Sequence, residues 1–319
     1  MYQQETLYAK SGDEMYRALR KHGVRVGLCL IAGFAIQEIS AVFLHLFGFG
    51  NILESNLSFQ YAVSILIFTI LAMLMPFFLY SLCKGRPSFI KALPFHSAVP
   101  SGKMLLLVAM GFGLCIGSNG IAGLASAFFS FAGIEGNLPE LPVSQNALDV
   151  FMNFVAAAVV APLVEEFIFR GVIMQPLRRY GDRFAIVISA AVFGIAHGRP
   201  TSIVFAFLSG IIIGCAVVYS RSIWVGIIIH ALNNAFSTLF SEIGSVMPDI
   251  IDTVYLLSYI AAGVIGVIAF IIYGIKYGLR MKRDTSGLSC RKKLVGFFFA
   301  VPMILSIVYY TVTIFRNIG

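Results

Sequence analysis

The chain is built from long apolar runs, each about as long as a bilayer crossing, joined by short connections rich in Lys and Arg. A spanning helix needs about 20 predominantly apolar residues. Within hydrocarbon each backbone N–H and C=O must be bonded inside the segment, so such runs leave helices as the natural solution. Composition agrees, since 59% of the 319 residues are hydrophobic, 12% are charged and mean hydropathy is +0.89. A soluble domain carries roughly a quarter charged residues, so too few ionisable side chains are present to cover a water-facing surface. The net charge of +8 does not point to nucleic acid, because the basic residues lie between apolar runs and not in stripes interleaved with aromatics. Cys29, Cys83, Cys115, Cys215 and Cys290 stand singly, which predicts neither a disulfide framework nor a cysteine metal site.

The runs predict an all-α, polytopic integral membrane protein of about nine spanning helices, near 24–50, 59–83, 104–133, 148–175, 184–197, 202–219, 222–240, 254–275 and 294–315. The polar start, with Lys10, Arg17, Arg20, Lys21 and Arg25, precedes a run too long for a signal-peptide core, so an uncleaved first span is expected. Short loops rich in Lys and Arg stay cytoplasmic. With the amino terminus inside, all but three of the 23 basic residues fall on inner connections, the exceptions being Arg170 within a span and Arg199 and Arg316 outside. No repeat or low-complexity linker divides the chain. Its parts are an amino-terminal segment with three flanking helices (1–147), a polar-marked helical core (148–240) and two carboxy-terminal helices (241–319).

Among the 15 carboxylates only Glu38, Glu165 and Glu166 fall well inside these spans, where an ionisable group is costly unless paired or hydrated. Glu166 and Arg170, at i and i+4, can pair across one turn, while Glu165 points about 100° away. His197 follows Phe193 by one turn, and Asn234 follows His230 by one turn, with Asn233 a weaker rival for that face. Along the helix axes Glu165 lies about 15 Å from the inner end of its span, His197 about 20 Å, and His230 and Asn234 about 12 and 18 Å, which is one layer. The 194–201 stretch ends its helix at that depth, and irregular backbone there is tolerated only against protein or a water-filled cavity. A hydrated pocket roofed by the 198–201 turn is therefore expected. The bland alternative is a buried ion cluster that only fixes packing. Glu38, beside Gln37, is as well suited to packing as to substrate contact, and His22, His45 and His96 lie near span ends, where interfacial roles are expected.

A carboxylate, two imidazoles and an amide without a Ser-His or Cys-His pattern point to an activated water. Glu165 would accept the water's proton, His197 would hold that water, and His230 and Asn234 would donate to an oxyanion. A zinc shell of Glu165, His197 and His230 is the other option, although the His-Glu-x-x-His pattern is absent. On these residues the sequence resembles the CAAX-protease and bacteriocin-processing family of intramembrane endopeptidases. Three motifs carry the resemblance: Glu165-Glu166-x-x-x-Arg170, Phe193-x-x-x-His197 and His230-x-x-x-Asn234. It implies a membrane endopeptidase with Glu165 and His197 at the water, His230 and Asn234 at the oxyanion, and Glu166 and Arg170 as braces. The glutamate-type mechanism needs no cofactor; a divalent metal such as zinc is the family's other reading. Expected partners are the lipid bilayer and a membrane-associated substrate, either a prenylated protein or a bacteriocin- or signal-like peptide, with no nucleic acid, and the expected location is a bacterial plasma membrane. Two other classes remain open: a non-catalytic membrane immunity or scaffold protein, and a proton-coupled transporter, for which no inverted repeat is visible.

Overall fold

The computed structural model describes residues 11–82, 99–131, 144–198, 200–246 and 248–316. Cys83, His96 and Arg199, the last in the expected 198–201 roof, lie outside the described residues. Every regular element among the described residues is helical: α1 (Gly12–Leu46), α2 (Gly50–Ser55), α3 (Leu57–Leu82), α4 (Ser101–Phe131), α5 (Ala147–Tyr180), α6 (Asp182–Ala196), α7 (Pro200–Ser220), α8 (Ile223–Val246), α9 (Pro248–Tyr277), α10 (Cys290–Phe298) and α11 (Val301–Arg316).

By length and composition 7 helices among the described residues can cross a membrane, or up to 8 if α10 and α11 form one span bent by 76°. The described residues do not confirm the expected count of about nine. The run at 184–197 belongs to α6, whose 15 residues reach only about 22 Å, short of the roughly 30 Å of hydrocarbon. The run at 294–315 is broken between α10 and α11.

Around the site α6 lies on α7, α7 lies on α4, and α8 touches α4, α5 and α7, while α1 is held by α3, α10 and α11. Side chains alone do not set these distances. At the crossing of α4 and α9 a methyl group on Gly113 would sit 2.6 Å from the Gly266 Cα, so the absence of a side chain lets the two backbones meet.

Helix α5 departs from α geometry in two wide turns and in a closing 3-10 turn at Arg178–Tyr180. Val155–Val160 and Phe167–Ile173 are wound as wide π turns, and the α-helical Ala161–Glu166 segment lies between them. Such turns redirect the backbone ladder and concentrate at functional sites, and in a water-poor interior their carbonyls favour nearby donors. Four are met by side chains: Ala157 O by Asn234 Nδ2 at 2.8 Å, Phe169 O by Ser189 Oγ at 2.7 Å, Arg170 O by Gln175 Nε2 at 2.9 Å and Ile173 O by His22 Nε2 at 3.1 Å. His22 is therefore a buried brace, 4% exposed and also 3.2 Å from the Tyr80 hydroxyl, in place of the interfacial role expected for it.

Candidate active site

Helix α5 begins where the Asn146 side chain accepts from the Leu148 and Asp149 amides, supplying the orphan donors of the first turn. Its central α segment carries Glu165 and Glu166 on different sides. Glu166 points inward with no exposure, and its Oε1 lies 3.1 Å from Arg170 Nη1 and 2.8 Å from His230 Nδ1. This is the pairing that the i, i+4 spacing predicts. The Arg170 guanidinium, 1% exposed, also sits 4.5 Å over the Phe193 ring, a cation–π placement that is strongest away from water. Neither Glu166 Oε2 nor the Arg170 side-chain nitrogens has an aligned hydrogen-bond partner, so proximity of opposite charges holds this floor together.

Phe193 joins the parts. Its ring meets His197 edge-on at 4.6 Å, His230 at 5.8 Å and Phe169 at 4.9 Å. Helix α6 stops at His197 because Gly198 takes a φ of 65°, a left-handed conformation glycine reaches without a side-chain clash. The His197 and Gly198 amides then close the last turn on Gly194 and Ile195 at 3.1 Å. The stop leaves the His197 imidazole exposed, with Nδ1 donating to the Phe193 carbonyl at 2.8 Å, so Nε2 carries the lone pair of the neutral ring.

Helix α8 reaches this floor through Gly226, where a methyl group would lie 2.7 Å from Val217 Cγ2 and 3.0 Å from Glu166 Oε2. His230, one turn on, stands between the two carboxylates: Nδ1 is on Glu166, and Nε2 is 3.7 Å from Glu165 Oε2. That second gap is too long for a hydrogen bond. Glu165 is 17% exposed in its side chain. Glu165, Phe193, His197, His230, Asn233 and Asn234 line one cavity of about 70 Å³, closed by Cys115 of α4 and by Phe205, Ala206, Ser209 and Ile213 of α7. The site is polar and roomy enough for water with several partners.

The structure thus brings Glu165, His197, His230, Asn234 and Phe193 to one cavity, with Glu166 and Arg170 immediately beneath. Glu38 is not among them: it is exposed and accepts a hydrogen bond from the Tyr309 hydroxyl. Asn233 is more than a rival for a face. It is 4% exposed, its Nδ2 donates to Asn234 Oδ1 at 3.4 Å, and its Oδ1 has no partner. Ser209 was not singled out from sequence; Phe205, Ser209 and Ile213 share a face at i, i+4 and i+8, but that spacing is equally that of an ordinary packed stripe. Among the described residues no three His, Cys, Asp or Glu side chains are grouped to share a metal ion.

Comparison with known proteins bears out the resemblance. Residues 147–236 match the family described as type II CAAX prenyl endopeptidase Rce1-like. The chain is 32% identical over 114 residues to "Membrane-embedded CAAX protease MroQ" of Staphylococcus aureus (strain USA300), covering 34% of this chain and 45% of that protein. It is 29% identical over 140 residues to "Putative membrane peptidase YdiL" of Bacillus subtilis (strain 168), covering 42% of this chain and 55% of that protein. The chain spans about half the length of the curated relatives it matches. No solved structure matches it.

Proposed function

We propose that the chain is an intramembrane endopeptidase that hydrolyses a peptide bond of a membrane-associated protein or peptide with a water activated by Glu165 and His197. The observation that carries this reading is the unbridged gap between Glu165 and His230 in a small cavity shared with His197, Asn233 and Asn234. Glu165 takes a proton from the water as the water oxygen attacks the carbonyl carbon. His197 Nε2 accepts the water's other hydrogen and fixes its direction.

The carbonyl oxygen becomes an oxyanion. Asn234 donates one N–H to Ala157 and keeps a second for the oxyanion, since a primary amide has two. His230 gives its Nδ1–H to Glu166, so Nε2, which faces the same space, donates to the oxyanion only when it carries a proton as well. When the C–N bond breaks, Glu165 returns its proton to the leaving amine nitrogen. Glu166 and Arg170 act through His230 and are positioning residues.

The similarity to a protein named as a CAAX protease favours a prenylated protein as substrate, with a bacteriocin- or signal-like peptide as the other candidate. The test is cleavage of a membrane-peptide library by the purified chain, read by mass spectrometry. Glu165→Gln and His197→Ala should each lower turnover about 10²- to 10⁴-fold with melting temperature unchanged, and wild-type turnover by either would overturn the reading. Turnover should survive a chelator. Loss that zinc restores would instead make Glu165, His197 and His230 metal ligands.

A further inference from the structure

At the far end of α6 from the cavity, about 22 Å away, the segment 278–289 crosses the helix ends without regular structure. It is pinned from both sides. The Lys282 amide donates to Asp182 Oδ2 at 2.8 Å, and the Asp182 amide donates to the Lys282 carbonyl at 3.1 Å. Asp284 accepts from the Ser286 amide and hydroxyl and from Lys293 Nζ, the last at 2.6 Å.

Asp182 is also held by Arg178 Nε at 2.7 Å. Asp182 and Asp284 are therefore engaged in holding the strap, and Asp284 with its partner Lys293 also lines the cleft beside it. Arg183, Arg280, Lys282 and Arg283 remain, all exposed, and no described carboxylate pairs with any of them. They face one cleft of about 750 Å³. Tyr180, Phe184, Leu279 and Met281 give the same cleft an apolar wall. Four like charges on a rigid frame repel one another, and an anion placed among them relieves that repulsion.

We propose that this cleft binds a phosphate group, with the headgroup of an anionic phospholipid as the source. Guanidinium groups match phosphate oxygens in pairs, and the apolar wall receives the start of the acyl chains. A basic pocket between helix ends is the usual form of such a site. The inference does not depend on the protease reading.

The test uses the full chain purified in detergent, with thermal unfolding followed during titration with dioleoyl phosphatidylglycerol, dioleoyl phosphatidylcholine or inorganic phosphate. Phosphatidylglycerol should raise the melting temperature and phosphatidylcholine should not. Arg280→Gln combined with Arg283→Gln should weaken the apparent phosphatidylglycerol affinity about 30-fold, taking ~1 kcal/mol for each basic residue and tenfold per 1.4 kcal/mol. Lys276→Gln, outside the cleft, should change it far less. If the double variant does not fold, Arg183→Gln with Lys282→Gln takes its place. An equal response to inorganic phosphate would support the phosphate site and overturn the lipid as its source. Identical titrations of wild type and variant, or of the two lipids, would overturn the proposal.

Discussion

Glu165 and Glu166 are neighbours in the chain and belong to opposite regions of one site, a dry floor and an open mouth. In the floor, Glu166 has no exposure and meets both Arg170 and His230 through a single oxygen. At the mouth, Glu165 keeps 17% exposure and a single 3.7 Å approach to His230, with exposed His197 on the same cavity. The difference shows how one residue type takes two roles. A carboxylate held by two partners is fixed in place, whereas one left without a hydrogen bond faces whatever enters. His230 couples the regions, because the nitrogen that Glu166 orients determines where its other nitrogen points.

The largest expected effect falls on the floor. Arg170→Ala would leave Glu166 buried without its cation, and breaking such a pair costs about 3–5 kcal/mol. Folded yield and melting temperature in detergent should both collapse, while Glu165→Gln leaves them near wild type. If Arg170→Ala unfolds at the wild-type temperature, the floor is not structural and the division between regions fails.

Gly226→Ala comes next. The added methyl meets Val217 Cγ2 at 2.7 Å and Glu166 Oε2 at 3.0 Å, and overpacking of this kind costs about 1–3 kcal/mol. Because α8 must back away from α5, His230 leaves Glu166, and cleavage should fall by more than the stability change alone explains. Equal losses in both measurements would show that the mouth does not depend on the floor.

Much of this division was legible in the sequence. Intramembrane carboxylates are rare enough to stand out, the i, i+4 spacing of Glu166 and Arg170 predicts their pairing, and the common depth of Glu165, His197, His230 and Asn234 predicts one chamber. What was not legible traces to backbone geometry. The π turns at Val155–Val160 and Phe167–Ile173 leave no mark on an apolar run, so the carbonyls that recruit His22, Ser189 and Asn234 were invisible. Nor does periodicity measured at 100° per residue resolve Asn233 from Asn234, since both reach the cavity. The count of spans is unconfirmed at α6 and at the α10–α11 bend, because hydropathy records how apolar a run is and not whether it is long or straight enough to cross.

A smaller pair of effects separates bracing from chemistry at the mouth. Asn234→Ala and Ser189→Ala each remove a side-chain donor from a wide-turn carbonyl of α5, for about 1 kcal/mol apiece. Their melting temperatures should move together. Their activities should not: if Asn234 also donates to the oxyanion, its loss lowers kcat about 10²- to 10³-fold, and Ser189→Ala leaves kcat near wild type. A matched fall in both variants would reduce Asn234 to a brace and shift the oxyanion donor to Asn233.

The smallest effect lies outside the membrane and tests whether burial, and not charge pairing as such, gives the floor its weight. Asp284 and Lys293 make a contact of 2.6 Å with the carboxylate 31% exposed, and pairs of this kind contribute about 0–1 kcal/mol. Burial acts to raise the Asp284 pKa, but Lys293 and Ser286 outweigh it and hold the carboxyl below its ordinary value. Its contribution is therefore complete above the unfolded value, about 3.9, and is lost as pH falls through the lower folded one. The gap in melting temperature between wild type and Asp284→Asn should be small at pH 6 and close on acidification toward pH 3. A gap as large as that of Arg170→Ala would mean that solvent screens the strap no better than the bundle interior, and the contrast drawn from Glu165 and Glu166 would need another cause.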